Sequence, residues 1–374
     1  MKIKPFELER YFAKYEFSTP YLLSCSDCEP LPMSELLSRA DPETLGMWDK
    51  LRLGYTESLG HPMLREEIAH LHRAIQPEDV LVVTPEEGIF IVMNVILAKG
   101  DHVIATFPGY QSLYEIANAL GCEVTKWLPD EKDGWKFDLD FLRASIRANT
   151  KLLVVNFPHN PTGSLIDRKG YQEILQLAGE KDITVFSDEM YRFLEYDETD
   201  RLDSASDLYP RAVSLFGMSK SFALAGLRLG WLTTQDKELY AQLAAFKDYT
   251  TICSSAPSEI LAIMGLRAKD EILRRNLAII QSNLRLLDQF FDHHAGQFTW
   301  VKPKAGTIGF PKLHQPGDIA GFCLDLVEKK GVMLLPSTVY SYDEGQQEGG
   351  HFRVGFGRKN IPEVLEKFDE YLKE

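Results

Sequence analysis

The stretch 151-KLLVVNFPHNPTG-163 joins a run of apolar residues directly to a turn built from Asn, Pro, Thr and Gly. Runs of the same kind occur at 79-DVLVVT-84, 102-HVIAT-106 and 183-ITVFS-187. They are short and do not alternate between apolar and polar residues, as expected of strands that are covered on both faces. The sequence therefore predicts a mostly parallel sheet with helices packed on each side.

The C-terminal third predicts a second, smaller unit. Between Glu271 and Phe291, apolar residues recur at every third or fourth position, which indicates a long amphipathic helix. Short predicted strands at 298–301, 332–335 and 351–354 follow, together with a final helix near 361–372. We expect an α/β protein with a large domain at 42–270 and a small α+β domain formed by 1–41 and 271–374.

Composition and charge exclude several classes of protein. The chain has 374 residues, of which 44% are hydrophobic and 26% are charged, as in ordinary globular enzymes. A net charge of −14 argues against nucleic acid as a partner, because polyphosphate binding needs Lys and Arg. The charged N-terminus and the short apolar run at 89–98 predict no signal peptide and no membrane span, hence a cytoplasmic protein.

The cysteines predict neither disulfides nor a metal site. Five cysteines in a long chain are an odd number and do not form a disulfide framework. Cys25-x-x-Cys28 has no second pair or His motif to complete a zinc site, so we interpret it as loop sequence.

Candidate functional residues follow the predicted strands, because ligands of parallel sheets bind beyond the carboxyl ends of strands. Asn160 follows one run and Asp188 follows another. In 217-GMSKSFALAGLRLGW-231, Lys220 lies in a turn of small residues, and Arg228 comes eight residues later. Desolvation in such a turn would keep the lysine amine neutral, which is what an imine-forming nucleophile requires.

The motifs Asn160-Pro-Thr-Gly163, Asp188-x-x-Tyr191 and the Lys220 stretch, in this order, resemble the fold-type I, class I/II aminotransferases over nearly the whole chain. The resemblance implies pyridoxal phosphate as the cofactor, held by Lys220 as a Schiff base, with the same lysine moving the α-proton. Arg228 would pair with the phosphate. Asp188 would pair with the ring nitrogen and keep the ring an electron sink.

The resemblance implies further contacts with the cofactor and the substrate. Tyr191 and Asn160 would hydrogen-bond the phenolic oxygen of the cofactor, and Tyr110 would stack on its ring. Tyr55 matches a tyrosine that reaches the phosphate of the neighbouring subunit, which implies a homodimer with shared active sites. Arg353 would bind the substrate carboxylate as a bidentate fork, with Asn160 close to that carboxylate.

The chain departs from the family pattern at the phosphate and at the substrate. The phosphate-binding turn is 84-TPEEGI-89, where the backbone N–H groups of Glu86, Glu87 and Gly88 would serve as donors. Gly217 replaces a common serine, which leaves Ser219 as the nearby hydroxyl, and Ser26 lies where the family often has a glycine beside the substrate. Either a glutamate at 86 or 87 faces the substrate and selects a cationic amino acid, or both are solvated and favoured by the helix dipole.

These observations predict an aminotransferase that moves an amino group between an amino acid and a 2-oxo acid. The same site chemistry also supports a lyase, a cyclase or an oxidase acting on an amino acid, and the fold does not decide among them. A third hypothesis is a non-catalytic protein that binds the cofactor or an amino acid as a sensor. The presence of both Lys220 and Asp188 disfavours it.

Overall fold

The computed structural model describes residues 2–315, 317–342 and 350–374. Its strands are β1 (Tyr21–Leu22), β2 (Val80–Val83), β3 (His102–Thr106), β4 (Glu123–Trp127), β5 (Pro129–Asp130), β6 (Lys136–Phe137), β7 (Thr150–Asn156), β8 (Thr184–Asp188), β9 (Ala212–Gly217), β10 (Gly230–Thr233), β11 (Phe298–Thr299), β12 (Ile308–Gly309), β13 (Lys312–Leu313), β14 (Val332–Met333), β15 (Leu335–Pro336) and β16 (Gly350–Gly355).

The helices are α1 (Glu7–Tyr15), α2 (Met33–Arg39), α3 (Pro42–Asp49), α4 (Pro62–Ala69), α5 (Pro85–Ile96), α6 (Ser112–Leu120), α7 (Leu139–Ser145), α8 (Arg168–Glu180), α9 (Ala205–Leu208), α10 (Lys237–Lys247), α11 (Ala256–Arg267), α12 (Lys269–His293), α13 (Ile319–Lys330) and α14 (Ile361–Leu372). Aspartate side chains accept hydrogen bonds from the first turns of α3, α7, α8, α10 and α13. Such caps satisfy N–H groups that have no partner within a helix. None of the helices in the described ranges is both long and apolar enough to cross a membrane.

A seven-stranded sheet in the order β2-β10-β9-β8-β7-β3-β4 forms the centre of the large unit. Its strands run parallel except β10, which is antiparallel to both of its neighbours. The predicted mostly parallel sheet is confirmed, and the four predicted strands match β2, β3, β7 and β8 to within one residue at each end. Helices α5 and α6 bury one face, while α8, α4 and α11 cover the other.

A five-stranded antiparallel sheet of β11, β13, β16, β12 and β15 forms the centre of the small unit. The amphipathic helix predicted at 271–291 is α12, and the final predicted helix matches α14. Apolar residues of α12, α13, α14 and this sheet share one core. The predicted strand at 332–335 is two strands, and the first of these, β14, pairs with the N-terminal β1. The division of the chain at 42–270 stays a prediction. Leu36 of α2 lies in the segment 1–41 assigned to the small domain, yet it packs with residues of α4 and α11 in the large unit.

Candidate active site

A cavity of about 470 Å³ lies at the carboxyl ends of the central strands, and α1 forms part of its wall. Ten residues predicted from the sequence line it: Ser26, Glu86, Tyr110, Asn160, Asp188, Tyr191, Ser219, Lys220, Arg228 and Arg353. They come from both units and from positions more than 300 residues apart in sequence. The fold therefore brings most of the predicted site together in one place.

Lys220 lies in the turn between β9 and β10, and its Nζ donates a hydrogen bond to Ser26 Oγ at 2.7 Å. Burial lowers the pKa of Lys220, because a charged amine loses its hydration there. The nearby charge of Arg353 lowers this pKa further, while Asp27 opposes the shift. A lysine in this setting is closer to the neutral, nucleophilic amine than a surface lysine.

The turn that carries Lys220 requires two facing glycines. Gly217 ends β9 and pairs in register with Gly230 of β10. A Cβ added at Gly217 would lie 2.9 Å from the Gly230 Cα and 3.0 Å from the Leu229 oxygen. The serine expected here from the family pattern would therefore collide with the neighbouring strand.

Asp188 is the last residue of β8, and its side chain is 6% exposed. Its Oδ1 accepts a hydrogen bond from the Met190 N–H at 3.1 Å. Burial raises the pKa of Asp188 to about 6, and the Met190 hydrogen bond and the charge of Lys220 oppose that shift. A cation placed against this carboxylate would favour its ionised form, so the position fits a protonated ring nitrogen.

Two buried polar groups in the cavity have no hydrogen-bond partner among the described residues. They are the Tyr191 hydroxyl and the Arg353 Nε, on side chains that are 3% and 1% exposed. Both residues line the cavity. Buried polar groups are nearly always hydrogen-bonded, so these two indicate that a polar ligand completes the site.

Arg353 lies on β16, and its remaining donors are held by three neighbours. Nη1 donates to Tyr340 Oη at 2.8 Å and to Asn160 Oδ1 at 3.3 Å. Nη2 donates to the Ser24 carbonyl at 2.8 Å. These contacts fix the plane of the guanidinium, which favours bidentate binding of a carboxylate.

The segment from Ser24 to Asp27 crosses this wall of the cavity because β16 has a glycine beneath it. A Cβ added at Gly355 would lie 1.8 Å from the Cys25 oxygen. The close approach places the Ser24 carbonyl on Arg353 and the Ser26 hydroxyl on Lys220. Ser26 therefore contacts the lysine, and its predicted place beside the substrate stays a prediction.

Arg228 and the first turn of α5 lie at another part of the cavity wall. Arg228 has a φ of +50°, a left-handed conformation that is uncommon outside glycine, and its Nη1 donates to the Ala225 carbonyl at 3.0 Å. Its carbonyl accepts from Thr84 Oγ1, the residue that precedes α5, at 3.1 Å. An exposed guanidinium beside a helix N-terminus fits a phosphate group.

Three predicted residues lie outside the lining of this cavity. The Glu87 carboxylate accepts hydrogen bonds from the Thr84 N–H and from the N–H and hydroxyl of Thr251, so it faces another loop. The Gly88 N–H donates a hydrogen bond to the Thr84 carbonyl at 2.9 Å. Tyr55 is 94% exposed and borders a different surface depression.

Sequence reasoning missed the contribution of α1 to the cavity. Leu8, Glu9, Phe12 and Glu16 line it, and the Tyr110 hydroxyl donates to Glu9 Oε1 at 3.0 Å. Their positions share one face of a helix with period 3.6, a signal that the N-terminal residues do contain. The prediction placed this stretch in the small domain and used it as evidence against a signal peptide, but it assigned none of its residues to the site.

The fold and the site together define a fold-type I, pyridoxal-phosphate-dependent enzyme. A buried lysine, a carboxylate at a strand end, buried donors without a partner in the described part of the chain and an exposed guanidinium are the groups that this cofactor needs. The chain belongs to the aminotransferase class I and II family, whose model matches residues 49–368. It is an aminotransferase that uses pyridoxal phosphate to move an amino group between an amino acid and a 2-oxo acid.

Three known proteins illustrate this relationship. A pyridoxal-phosphate-dependent aminotransferase from Streptococcus suis 89-1591 has a TM-score of 0.92 and 30% identity, covering 100% of this chain and 98% of its own. The pyridoxal-phosphate-dependent cyclase OrfR has a TM-score of 0.89 and 26% identity, with coverage of 100% and 98%. Capreomycidine synthase from Streptomyces vinaceus is 29% identical over 93% of this chain and 88% of its own.

Proposed function

We propose that Lys220 holds pyridoxal phosphate through its ε-amino group and moves the proton at the α-carbon of an amino acid. The supporting observation is that this buried amine shares a cavity with Asp188 and Arg353 and is bonded to a hydroxyl group. When bound, the cofactor supplies an electron sink for the charge left at the α-carbon. A lysine bonded to Ser26 Oγ can be released to act as a base without breaking an ion pair.

The other lining residues bind and orient the two ligands. Asp188 pairs with the ring nitrogen, Tyr191 and Asn160 bind the phenolic oxygen, and Tyr110 stacks on the ring. Arg228, Ser219 and the backbone N–H of Glu86 at the α5 N-terminus bind the phosphate, because the N–H groups of Glu87 and Gly88 already donate to Thr84. Arg353, with Asn160 and Ser26 beside it, binds the substrate carboxylate, and its placement on the small unit would couple substrate binding to closure of the cavity.

Reduction of the purified holoenzyme with borohydride tests the role of Lys220, because it fixes the cofactor to the amine that carries it. Peptide mass mapping should then find the added mass on the peptide that contains Lys220. The Lys220→Ala protein should lack it, and Lys151→Ala, which removes an exposed lysine of β7, should retain it. Modification of a different lysine in the unaltered protein would refute the assignment.

A single half-reaction distinguishes amino transfer from the alternative fates. The holoenzyme is mixed with one amino acid at a time, without a 2-oxo acid and without air. Transfer releases one 2-oxo acid per site and leaves the cofactor in its amine form. Release of a cyclised or eliminated product with the cofactor unchanged would support the second candidate, a cyclase or lyase, which the likeness to OrfR favours.

We also propose a cytoplasmic homodimer in which Tyr55 reaches the partner's site. Large apolar side chains are exposed at Leu53 (85%), Tyr55 (94%), Tyr249 (90%) and Ile252 (52%), which supports a covering partner. All cysteines are free, as expected in a reducing compartment. Light scattering should give twice the chain mass of 42.5 kDa, and a monomeric holoenzyme would contradict the shared site.

A further inference from the structure

Some charged side chains that line the cavity have an assigned partner, either in the cofactor, in the substrate or in another residue, and others have none in the described part of the chain. On the proposed function, Lys220 and Asp188 serve the cofactor, Arg228 serves its phosphate and Arg353 serves the substrate carboxylate. Asp27 is held by a bidentate ion pair with Arg358, at 2.9 and 3.0 Å. Three lining carboxylates remain, those of Glu9, Glu16 and Glu86.

These three carboxylates have no cationic partner among the described residues. Glu9 accepts only from the Tyr110 hydroxyl, and Glu86 accepts from Ser112 Oγ at 3.2 Å. Burial raises the pKa of Glu16 and of Glu86, and the charge of Glu9 adds to the shift of each, so Glu9 lies within electrostatic range of both. The charges of Arg358 and Lys220 lower the pKa of Glu16 in part, although neither forms an ion pair with it. Like charges held together in a partly buried wall are unfavourable unless a cation joins them.

The same cavity is built to receive a ligand, as its unpartnered groups show. Tyr191 Oη and Arg353 Nε are buried without partners in the described part of the chain. Because Arg353 is the carboxylate site, a bound amino acid would extend from it into a cavity that also contains the three glutamates. A neutral side chain would leave those carboxylates unpaired, and a second substrate carboxylate would be repelled.

We propose that the enzyme selects an amino acid whose side chain carries a guanidinium or ammonium group, bound by Glu9, Glu16 and Glu86. This specificity rests on the proposed use of Arg353 for the α-carboxylate. Glu9 and Glu16 are seven residues apart, about 10 Å along the helix axis, so together with Glu86 they form a wall rather than a single point. A planar guanidinium with several donors suits such a wall.

The test uses two ligands that lack an α-amino group and therefore cannot react. Calorimetric titration of the holoenzyme compares 5-guanidinopentanoate with 5-ureidopentanoate, which has the same carboxylate and nearly the same shape but a neutral urea in place of the guanidinium. We expect the guanidino ligand to bind about tenfold to a hundredfold more tightly. A ratio near one in the unaltered enzyme would overturn the inference.

Glutamine variants assign the effect to residues. Glu9→Gln, Glu16→Gln and Glu86→Gln should each lower the ratio, and Glu9→Gln with Glu16→Gln should bring it close to one. Glu7→Gln changes an exposed residue of the same helix and should leave the ratio unchanged. Binding of the ureido ligand verifies that each variant is folded, and a full ratio in all three glutamate variants would overturn the assignment.

These titrations require no turnover, so the two proposals fail separately. Preference for the guanidino ligand without cofactor on Lys220 would refute the proposed function and leave the selectivity intact. Amino transfer from neutral amino acids, without any preference for the guanidino ligand, would refute the selectivity and leave the proposed function intact.

Discussion

The cavity has two contrasting walls, one formed by strand ends and one formed by the N-terminal helix α1. Asn160, Asp188 and Arg353 are at most 7% exposed, and backbone or side-chain hydrogen bonds hold each of them in place. Glu9 on α1 and Glu16, directly after its last residue, are only partly buried. A chemical step needs fixed geometry, so the rigid wall suits catalysis, and the helical wall suits the choice of substrate.

The largest expected effect comes from Asp188→Asn, in the rigid wall. The amide cannot pair with a protonated ring nitrogen, so the cofactor would lose much of its capacity as an electron sink. We expect kcat to fall at least about a hundredfold, or about 3 kcal/mol, while the fold is retained. Steady-state kinetics checks this, with circular dichroism as the folding control. Activity within about threefold of the unaltered enzyme would show that Asp188 does not serve the ring.

A smaller loss is expected for Arg353→Lys, also in the rigid wall. Lysine keeps the charge but loses the planar fork, and it leaves Tyr340 and the Ser24 carbonyl without their donors. On the proposed function, kcat/KM for the amino acid should fall about tenfold to a hundredfold, mostly through KM. Cofactor content, measured by absorbance, should not change. An unchanged KM would place the substrate carboxylate elsewhere.

Much of the rigid wall was predictable because two of its residues lie at the ends of strands that the sequence marks clearly. Asp188 and Asn160 lie directly beyond β8 and β7, and parallel strands bring their carboxyl ends to one edge. Lys220 was found through its local turn. Arg353 was found only by family resemblance, because its place in the cavity depends on long-range packing of β16.

The helical wall was not predicted, and neither was the orientation of the two glutamates at the start of α5. Local sequence features do not indicate that α1 packs over a cavity formed by residues far along the chain. Glu86 and Glu87 are adjacent, yet successive helical residues point about 100° apart. Only the packing of Ser112 on one side and Thr251 on the other decides which of them faces the ligand.

The pH dependence of stability tests whether the Glu86 carboxylate, at the start of α5, is buried in the cavity wall. Burial raises its pKa from an ordinary 4.5 to about 7, with the hydrogen bond from Ser112 opposing the shift and the charges of Glu9 and Asp188 adding to it. Between these two pH values the folded protein binds a proton that the unfolded chain releases, so the free energy of unfolding falls as pH rises.

Glu86→Gln should remove this dependence. The expected difference in free energy of unfolding between the two proteins changes by about 2 kcal/mol from pH 5 to pH 8, with the variant becoming relatively more stable at high pH. Urea denaturation of both proteins at several pH values measures it. Parallel pH profiles would show that the Glu86 carboxylate is solvated in the folded protein and not buried in the cavity wall.

The smallest effect is expected for the adjacent residue, through Glu87→Gln. Its carboxylate accepts from the Thr84 N–H at 3.0 Å and from two groups of Thr251, so it caps α5 and ties a loop to it. Because a neutral amide accepts these hydrogen bonds less strongly, stability should fall by about 1 kcal/mol. The preference between the guanidino and ureido ligands should stay that of the unaltered enzyme. A loss of that preference in Glu87→Gln equal to the loss in Glu86→Gln would mean that the electrostatic field of the whole turn selects the substrate, not a carboxylate that faces it.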